Sequence, residues 1–231
     1  MLKLNNTQLK LLAIACMLID HIGLTLCADN PIMRSIGRIA FPLFAFCVAE
    51  GMRHTQNRKR YLLRMLIFAA VSEPCFQFAL GFPGLDHINV MWTFLLTLLG
   101  IMIYEKSGGG IMGIIFPVTA AMIAGVFHTD YDLFGVLLVF FFYKTAYDGW
   151  DRRRELTKDH RYLYGICALV LMVTHAILID LYTEGIPVTY FSLLSLIPLL
   201  LYNGQRGRGL KWFFYVFYPA HLLILGLITS L

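Results

Sequence analysis

The chain has 231 residues, of which 58% are hydrophobic and 14% charged, where an average soluble domain is about a quarter charged. Such a composition cannot cover a water-facing surface, so it excludes a soluble globular domain. The formal net charge of +5 does not point to nucleic acid, because the basic residues sit in the connections between apolar stretches, where membrane proteins carry them.

A helix crossing the hydrocarbon core needs about 20 apolar residues. Windows of that kind predict spans at residues 9–28, 36–53, 61–82, 89–104, 111–128, 131–147, 162–182, 187–203 and 211–230. The expected fold is therefore all-α: a polytopic integral membrane bundle of about nine transmembrane helices, forming a single domain over residues 1–231. The first span follows Lys3 and Lys10, as the core of a secretory signal would. However, Asp20 and His21 interrupt its middle and no small-residue cleavage site follows, so it reads as a retained helix. The fourth and sixth spans are the shortest for a core about 30 Å thick.

Short connections rich in Lys and Arg stay in the cytoplasm. With the N-terminus inside, nine spans put all but Arg34 and Arg38 of the 19 basic residues on that side. The opposite connections carry Asp29, Asp86, Asp130, Asp132 and Glu184. One span more or fewer would scramble this alternation, so charge supports the count independently of hydropathy and implies a multi-pass protein of the cell membrane. The longest connection, residues 148–161, is charged and too short for a domain. Gly108, Gly109 and Gly110 form a flexible turn, since neither a preceding strand nor a GK[ST] ending supports a phosphate loop. The five cysteines lie within apolar stretches without a CxxC pair or metal-ligand spacing, so they read as packing residues and no metal is expected. No internal repeat is visible, unlike many secondary transporters.

An ionisable group in hydrocarbon costs roughly 2.5 to 3.5 kcal/mol on insertion scales, so each needs a partner, water or a task. Near the inner face lie Glu50 and the run Arg53, Arg58, Lys59, Arg60 and Arg64. Arg58 and Lys59 suit a topogenic, headgroup-contacting role. Arg64, a turn inside the third span, can hold a phosphate or pair with a carboxylate such as Glu50. At mid-depth four spans carry titratable groups: Asp20 and His21, Glu73 beside Pro74, His175, and His221. Asp20 and His21 are adjacent, so they diverge by about 100° and cannot face each other. Asp20 shares a small-residue stripe with Ala13, Cys16, Gly23 and Cys27, which places it against a neighbouring helix, whereas His21 lies alongside Met17 and Thr25 and is the freer group for proton transfer. Glu73 suits either the backbone donors freed at Pro74 or a substrate. Near the outer face, Arg38 and Asp130 are candidates for an acceptor mouth.

Several strings among these residues resemble the TraX family of membrane acetyltransferases, named for a protein that N-acetylates pilin, and more distantly the wider transmembrane acyltransferases. They are IDHIG (Ile19 to Gly23), IGRIAFPLFAFCVAEGMRHT (Ile36 to Thr55) and RYLLRMLIFAAVSEPCF (Arg60 to Phe76), with weaker echoes in residues 89–100, 129–143 and 214–225. The chain departs from the pattern at Cys75, where a second proline is expected after Pro74, and at Asp132, where glycine is usual after Tyr131. The resemblance implies acetyl-CoA as cytoplasmic acyl donor, held by Arg53, Arg58, Lys59, Arg60 and Arg64. It also implies His21 as general base, with Asp20, Glu50 and His221 as catalytic companions, and Arg38, Glu73 and Asp130 at the site of a protein, peptide or glycan acceptor. Two other readings of the buried polar groups stand beside it: a proton-coupled small-solute transporter, and an intramembrane aspartyl protease using Asp20 and Asp180.

Overall fold

A computed structural model describes residues 3–28, 30–81, 87–145, 158–182 and 188–231, the side chains of 158–164 and 182 excepted. Asp29, Asp86 and Glu184 of the acidic connections, and residues 146–157 of the long basic one, lie outside the described residues. The described chain is all-helical: α1 (Asn6–Thr25), α2 (Pro31–Gly37), α3 (Ala40–His54), α4 (Arg58–Leu80), α5 (Val90–Lys106), α6 (Ile115–Val126), α7 (Asp132–Thr145), α8 (Lys158–Tyr182), α9 (Leu196–Leu200) and α10 (Lys211–Thr229). Single 3₁₀ segments precede α6 and α9.

Each predicted span coincides with one of these helices or with a consecutive pair. Four stretches, Asn6–Thr25, Pro31–His54, Arg58–Leu80 and Lys211–Thr229, are long and apolar enough to cross a membrane unaided. The others are shorter, or apolar over fewer residues. Exposed Leu63, Ile67 and Val71 on α4 and Val216, Ile224 and Leu227 on α10 give the bundle an apolar outer surface, as expected of a helical membrane protein. Inside, Met52, Leu98, Ile101 and Leu222 are sealed from solvent.

Local chemistry sets the helix ends. Asn5, Asn30, Asn57 and Asn89 each turn a side-chain oxygen onto the first backbone N–H groups of α1, α2, α4 and α5, donors a helix cannot satisfy itself. Gly81 closes α4 in the left-handed conformation, at φ +68°, which costs glycine little. α2 and α3 are separated at Arg38 and Ile39. Pro42 lacks an N–H and its ring crowds the carbonyl four residues back, that of Arg38. The resulting break turns the Arg38 side chain toward α1.

α10 packs along α4 and α1, while α5, α6 and α7 follow one another as antiparallel neighbours. At Gly226 the ring of Phe78 occupies the space a side chain would need, and a Cβ on Gly100 would stand 3.0 Å from the Pro117 backbone, so close crossings depend on these small residues.

Glu73 anchors α4 to α5. Gln77 donates to one of its carboxylate oxygens at 2.6 Å. The other accepts from the Asn89 backbone N–H at 3.1 Å, the Asn89 side-chain amide at 2.6 Å and the Trp92 indole at 3.0 Å. The donors it satisfies belong to the start of α5 and to side chains, rather than to the break at Pro74. Replacing Glu73 by Ala leaves these donors unmet in a partly buried setting and should destabilise the purified protein by about 3 kcal/mol. A thermal-unfolding midpoint in detergent unchanged from the parent would remove this role.

Candidate functional site

A cavity of about 1140 Å³ lies at the basic end, between α1, α3, α4, α10 and the segment before α10. It exceeds the roughly 300 to 1,000 Å³ of ordinary small-molecule sites. On α1 its lining runs from Asn6 to Met17, about 16 Å at helical rise. It also reaches Val90, Met91 and Phe94, at the opposite end of α5 from the basic connections. Tyr61, Phe214, Tyr215 and Tyr218 supply aromatic wall.

The charge on this wall is one-sided. Lys10, Arg53, Arg60, Arg64, Arg206, Arg208 and Lys211 line the cavity against a single carboxylate, Glu50. Glu50 is buried and engaged by the Tyr202 hydroxyl at 2.9 Å and His54 Nε2 at 3.1 Å. Lys10 stands over the Phe214 ring and Arg64 over the Tyr61 ring, 5.3 and 5.8 Å from the centroids.

Beyond the cavity two histidines meet. His21 Nδ1 lies 2.7 Å from His221 Nε2, and the rings are parallel with centroids 5.0 Å apart. His221 Nδ1 lies 2.8 Å from the Phe217 carbonyl. A carbonyl only accepts, so His221 carries its proton on Nδ1, and when neutral it offers a lone pair at Nε2. His21 then donates through Nδ1–H, leaving the lone pair of its Nε2 without a partner among the described residues. This arrangement can do chemistry: one imidazole is held in a fixed tautomer by a second, with the basic nitrogen unoccupied.

The two histidines are not among the cavity-lining residues, but they extend its walls. On α1, Lys10, Ile14 and Met17 line the cavity, and His21 is the next position of that i, i+4, i+7, i+11 face. On α10, Phe214 and Tyr218 line it, and His221 follows at i+7. The pair therefore stands about one helical turn, roughly 6 Å, past the lining.

Asp20 faces elsewhere. Its carboxylate takes Arg34 at 2.8 Å and Arg38 at 3.1 Å, joining α1 to α2. The contact requires glycine at position 37, where a Cβ would fall 2.0 Å from the Asp20 carboxylate. Arg38 also borders a separate pocket of about 20 Å³ with Tyr131, His175 and Ser192, room for about one water. At the acidic end, Asp130 lies 3.7 Å from His87 Nε2, and its carbonyl accepts from Thr93.

The residues singled out in the sequence thus separate into groups. His21 meets His221. Arg53, Arg60 and Arg64 line the cavity, while Arg58 pairs with Glu105 and Lys59 is exposed and outside the lining. Glu50 lines the cavity too, but α3 starts at Ala40, two residues past the Arg38 that holds Asp20, and reaches Glu50 ten residues on, about 15 Å toward the basic end, so it is remote from His21. Glu73 is occupied by the start of α5, Arg38 stands level with the histidine pair through its contact with Asp20, and Asp130 lies at the acidic end beside His87. Asp180 accepts from the Thr189 backbone at 3.3 Å, whereas Asp20 is held by arginines, so the two do not form an aspartyl pair. Sequence reasoning assigned no binding role to Lys10, Arg206, Arg208 or Lys211 and no pairing to Arg34. The run from Asn203 to Lys211, three glycines interleaved with cations and without an acid, was the available signal for the first set.

The fold and this site define a helical membrane protein with a cationic cavity at one end and a buried histidine pair beyond it. The sequence profile of the TraX protein family matches residues 5–229, and the chain belongs to that family. It is 28% identical over 236 aligned residues to the probable fimbrial assembly protein FimC, serogroup H1, of Dichelobacter nodosus, covering 94% of this chain and 93% of that one. To protein TraX of Escherichia coli (strain K12) it is 27% identical over 224, covering 96% and 86%. An uncharacterized protein of Rickettsia prowazekii (strain Madrid E) shares 60% identity over only 38 residues, 16% of this chain and 15% of its own length. No solved structure matches the chain.

Asp20→Ala should strand two inward-facing guanidinium groups and cost about 3 to 5 kcal/mol, lowering the yield of folded protein; normal yield and midpoint would show the arginines to be hydrated instead. The Asp130 carboxylate beside it raises the His87 pKa above the ordinary imidazole value. The pair's stabilisation is therefore complete below about pH 6.5 and is lost as pH rises through the elevated folded value. With both side chains a third exposed, it is worth about 0.5 kcal/mol after screening. The gap in melting temperature between the parent and His87→Gln should narrow from pH 6 to pH 8.5, and a constant gap would contradict the coupling.

Proposed function

We propose that this protein is a multi-pass cell-membrane acetyltransferase, its nine helical units crossing the bilayer with the N-terminus in the cytoplasm. It moves an acetyl group from cytoplasmic acetyl-CoA to an amine or hydroxyl acceptor. The observation that carries this reading is that His21 and His221 extend the walls of a cation-lined cavity by one turn and meet there in a hydrogen bond. Membership of the TraX family supports it. The fimbrial-assembly name of one relative adds a surface-filament subunit to the candidate acceptors, beside a protein N-terminus, a peptide or a glycan.

Coenzyme A carries phosphates, an apolar-to-amide arm and a terminal thioester. The basic cavity suits the phosphates through charge-assisted hydrogen bonds from Arg53, Arg60 and Arg64. The aromatic wall toward Met17 and Tyr218 suits the arm and brings the thioester to the histidine pair. There the acceptor nitrogen or oxygen attacks the acetyl carbonyl carbon while its proton passes to His21 Nε2. Collapse of the tetrahedral intermediate breaks the carbon–sulfur bond, and the proton moves from His21 to the departing thiolate. His221 positions the base by holding its Nδ1–H, and its own Nδ1–H is fixed by the Phe217 carbonyl. Arg38, level with the pair, and Asp130 at the acidic end suit the approach of the acceptor from the side opposite the cavity mouth.

With labelled acetyl-CoA, the purified protein should transfer or hydrolyse the acetyl group. His21→Ala should lower turnover by about 10² to 10⁴-fold while coenzyme A still binds. His221→Ala should give a smaller loss and a shifted pH profile. Solute flux without acyl transfer would replace this reading with a transporter.

A further inference from the structure

The cations of the cavity fall on two walls. Arg53, Arg60 and Arg64 come from the α3–α4 corner. Lys10 comes from α1, with Arg206, Arg208 and Lys211 on the segment leading into α10. Among the described residues, no carboxylate lies within ion-pair distance of Lys10, Arg60, Arg64, Arg206, Arg208 or Lys211. Like charges gathered without acids repel one another, which favours an anionic occupant.

The second wall is built in a fixed shape. Leu4 donates to the Leu201 carbonyl and accepts from Asn203, at 2.8 and 2.9 Å, and Asn6 donates to the Gln205 carbonyl at 2.8 Å. The Thr7 hydroxyl lies 2.7 Å from the Arg208 carbonyl and 3.1 Å from that of Arg206. Between the two arginines Gly207 adopts φ +71°, and a Cβ there would stand 2.4 Å from the Asn5 side chain, so this close approach requires glycine. Asn5 in turn caps α1. The chain thus spends five contacts fixing a loop whose side chains are two unpaired arginines at a cavity rim.

We propose that the 203–209 loop, strapped to the start of α1, forms a second anion subsite that holds the 3′-phosphate of coenzyme A. The pyrophosphate rests on the α3–α4 wall. This assignment rests on the acyl-donor reading and names the part of the donor that the loop recognises. The shared chemistry is a phosphate monoester, which a lipid headgroup could also offer.

Calorimetry with coenzyme A and 3′-dephospho-coenzyme A, on full-length protein in neutral detergent, tests it. The parent should bind coenzyme A about tenfold or more tightly than the dephospho form. In the double variant Arg206→Ala, Arg208→Ala, coenzyme A should fall to the affinity of the dephospho form, whose own binding changes less than about twofold. Unchanged dephospho binding also reports that the variant is folded, and Arg206→Lys, Arg208→Lys should keep part of the preference. A preference that survives in the alanine variant, or is absent from the parent, overturns the loop assignment while leaving the donor reading intact. Failure of both ligands to bind the parent overturns the donor reading and the loop assignment with it. Phosphatidic acid that displaces coenzyme A from the parent but not from the double variant would give the loop to lipid and also refute the proposal.

Discussion

A charge held among apolar helices is stable only if an opposite charge, a set of hydrogen bonds or water attends it, and this protein meets that constraint differently at different depths. At the level of Asp20, two arginines converge on one carboxylate with contacts near 3 Å. At Glu73, donors from two helices surround a single carboxylate. Both carboxylates are engaged at each oxygen, and such a polar centre fixes the relative position of helices that apolar contact alone would let slide. At the basic end the constraint is left open: the cations lining the cavity outnumber its one carboxylate seven to one. No second carboxylate among the described residues lines the cavity, an imbalance that favours an anionic occupant and marks this end as the binding region.

The histidine pair solves a related problem. Protonating one ring beside the other would put like charge next to the arginines that hold Asp20, whereas two neutral rings in a donor–acceptor chain ending on the Phe217 carbonyl need no counter-ion. A neutral imidazole whose other nitrogen is committed as a donor is a proton acceptor by default. The proposed catalytic role thus grows from the same requirement that makes the pair stable.

Much of this was legible in the chain, for identifiable reasons. Hydrophobic windows placed every helical unit, because bilayer-length apolar stretches are a local property. The divergence of Asp20 from His21 was legible too, since adjacent residues on a helix point about 100° apart, and the two indeed serve separate centres. The number of crossings is a harder matter: α7 has 14 residues, and length alone does not establish a span. Partnerships between helices were not legible. Arg58 and Arg60 are neighbours in one basic run, yet α4 turns Arg58 to Glu105 on α5 and Arg60 to the cavity. Nothing in the run distinguishes them, because the distinction depends on which face of α4 meets α5. Glu73 was ambiguous for the same reason, since all its donors but Gln77 lie at the start of α5, sixteen residues or more along the chain. The 203–209 loop was overlooked because a basic connection also serves to orient a membrane protein, and only its attachment to residues 4–7 shows a built shape.

The first helix ties these observations together. Its N-cap residue, Asn5, abuts Gly207 of the arginine loop; Lys10, Ile14 and Met17 form cavity wall; His21 continues that face; and Asp20, turned aside, fixes the helix to α2. A rigid helix places all of these at set heights, so loop, cavity and histidine cannot shift independently. If the loop holds one end of a long ligand, the depth reached by the other end is determined by the rise of α1 and by the ligand's own length. Binding energy gained at the mouth then serves positioning at the histidine pair, which is where a remote anchor contributes to a reaction rather than to affinity alone.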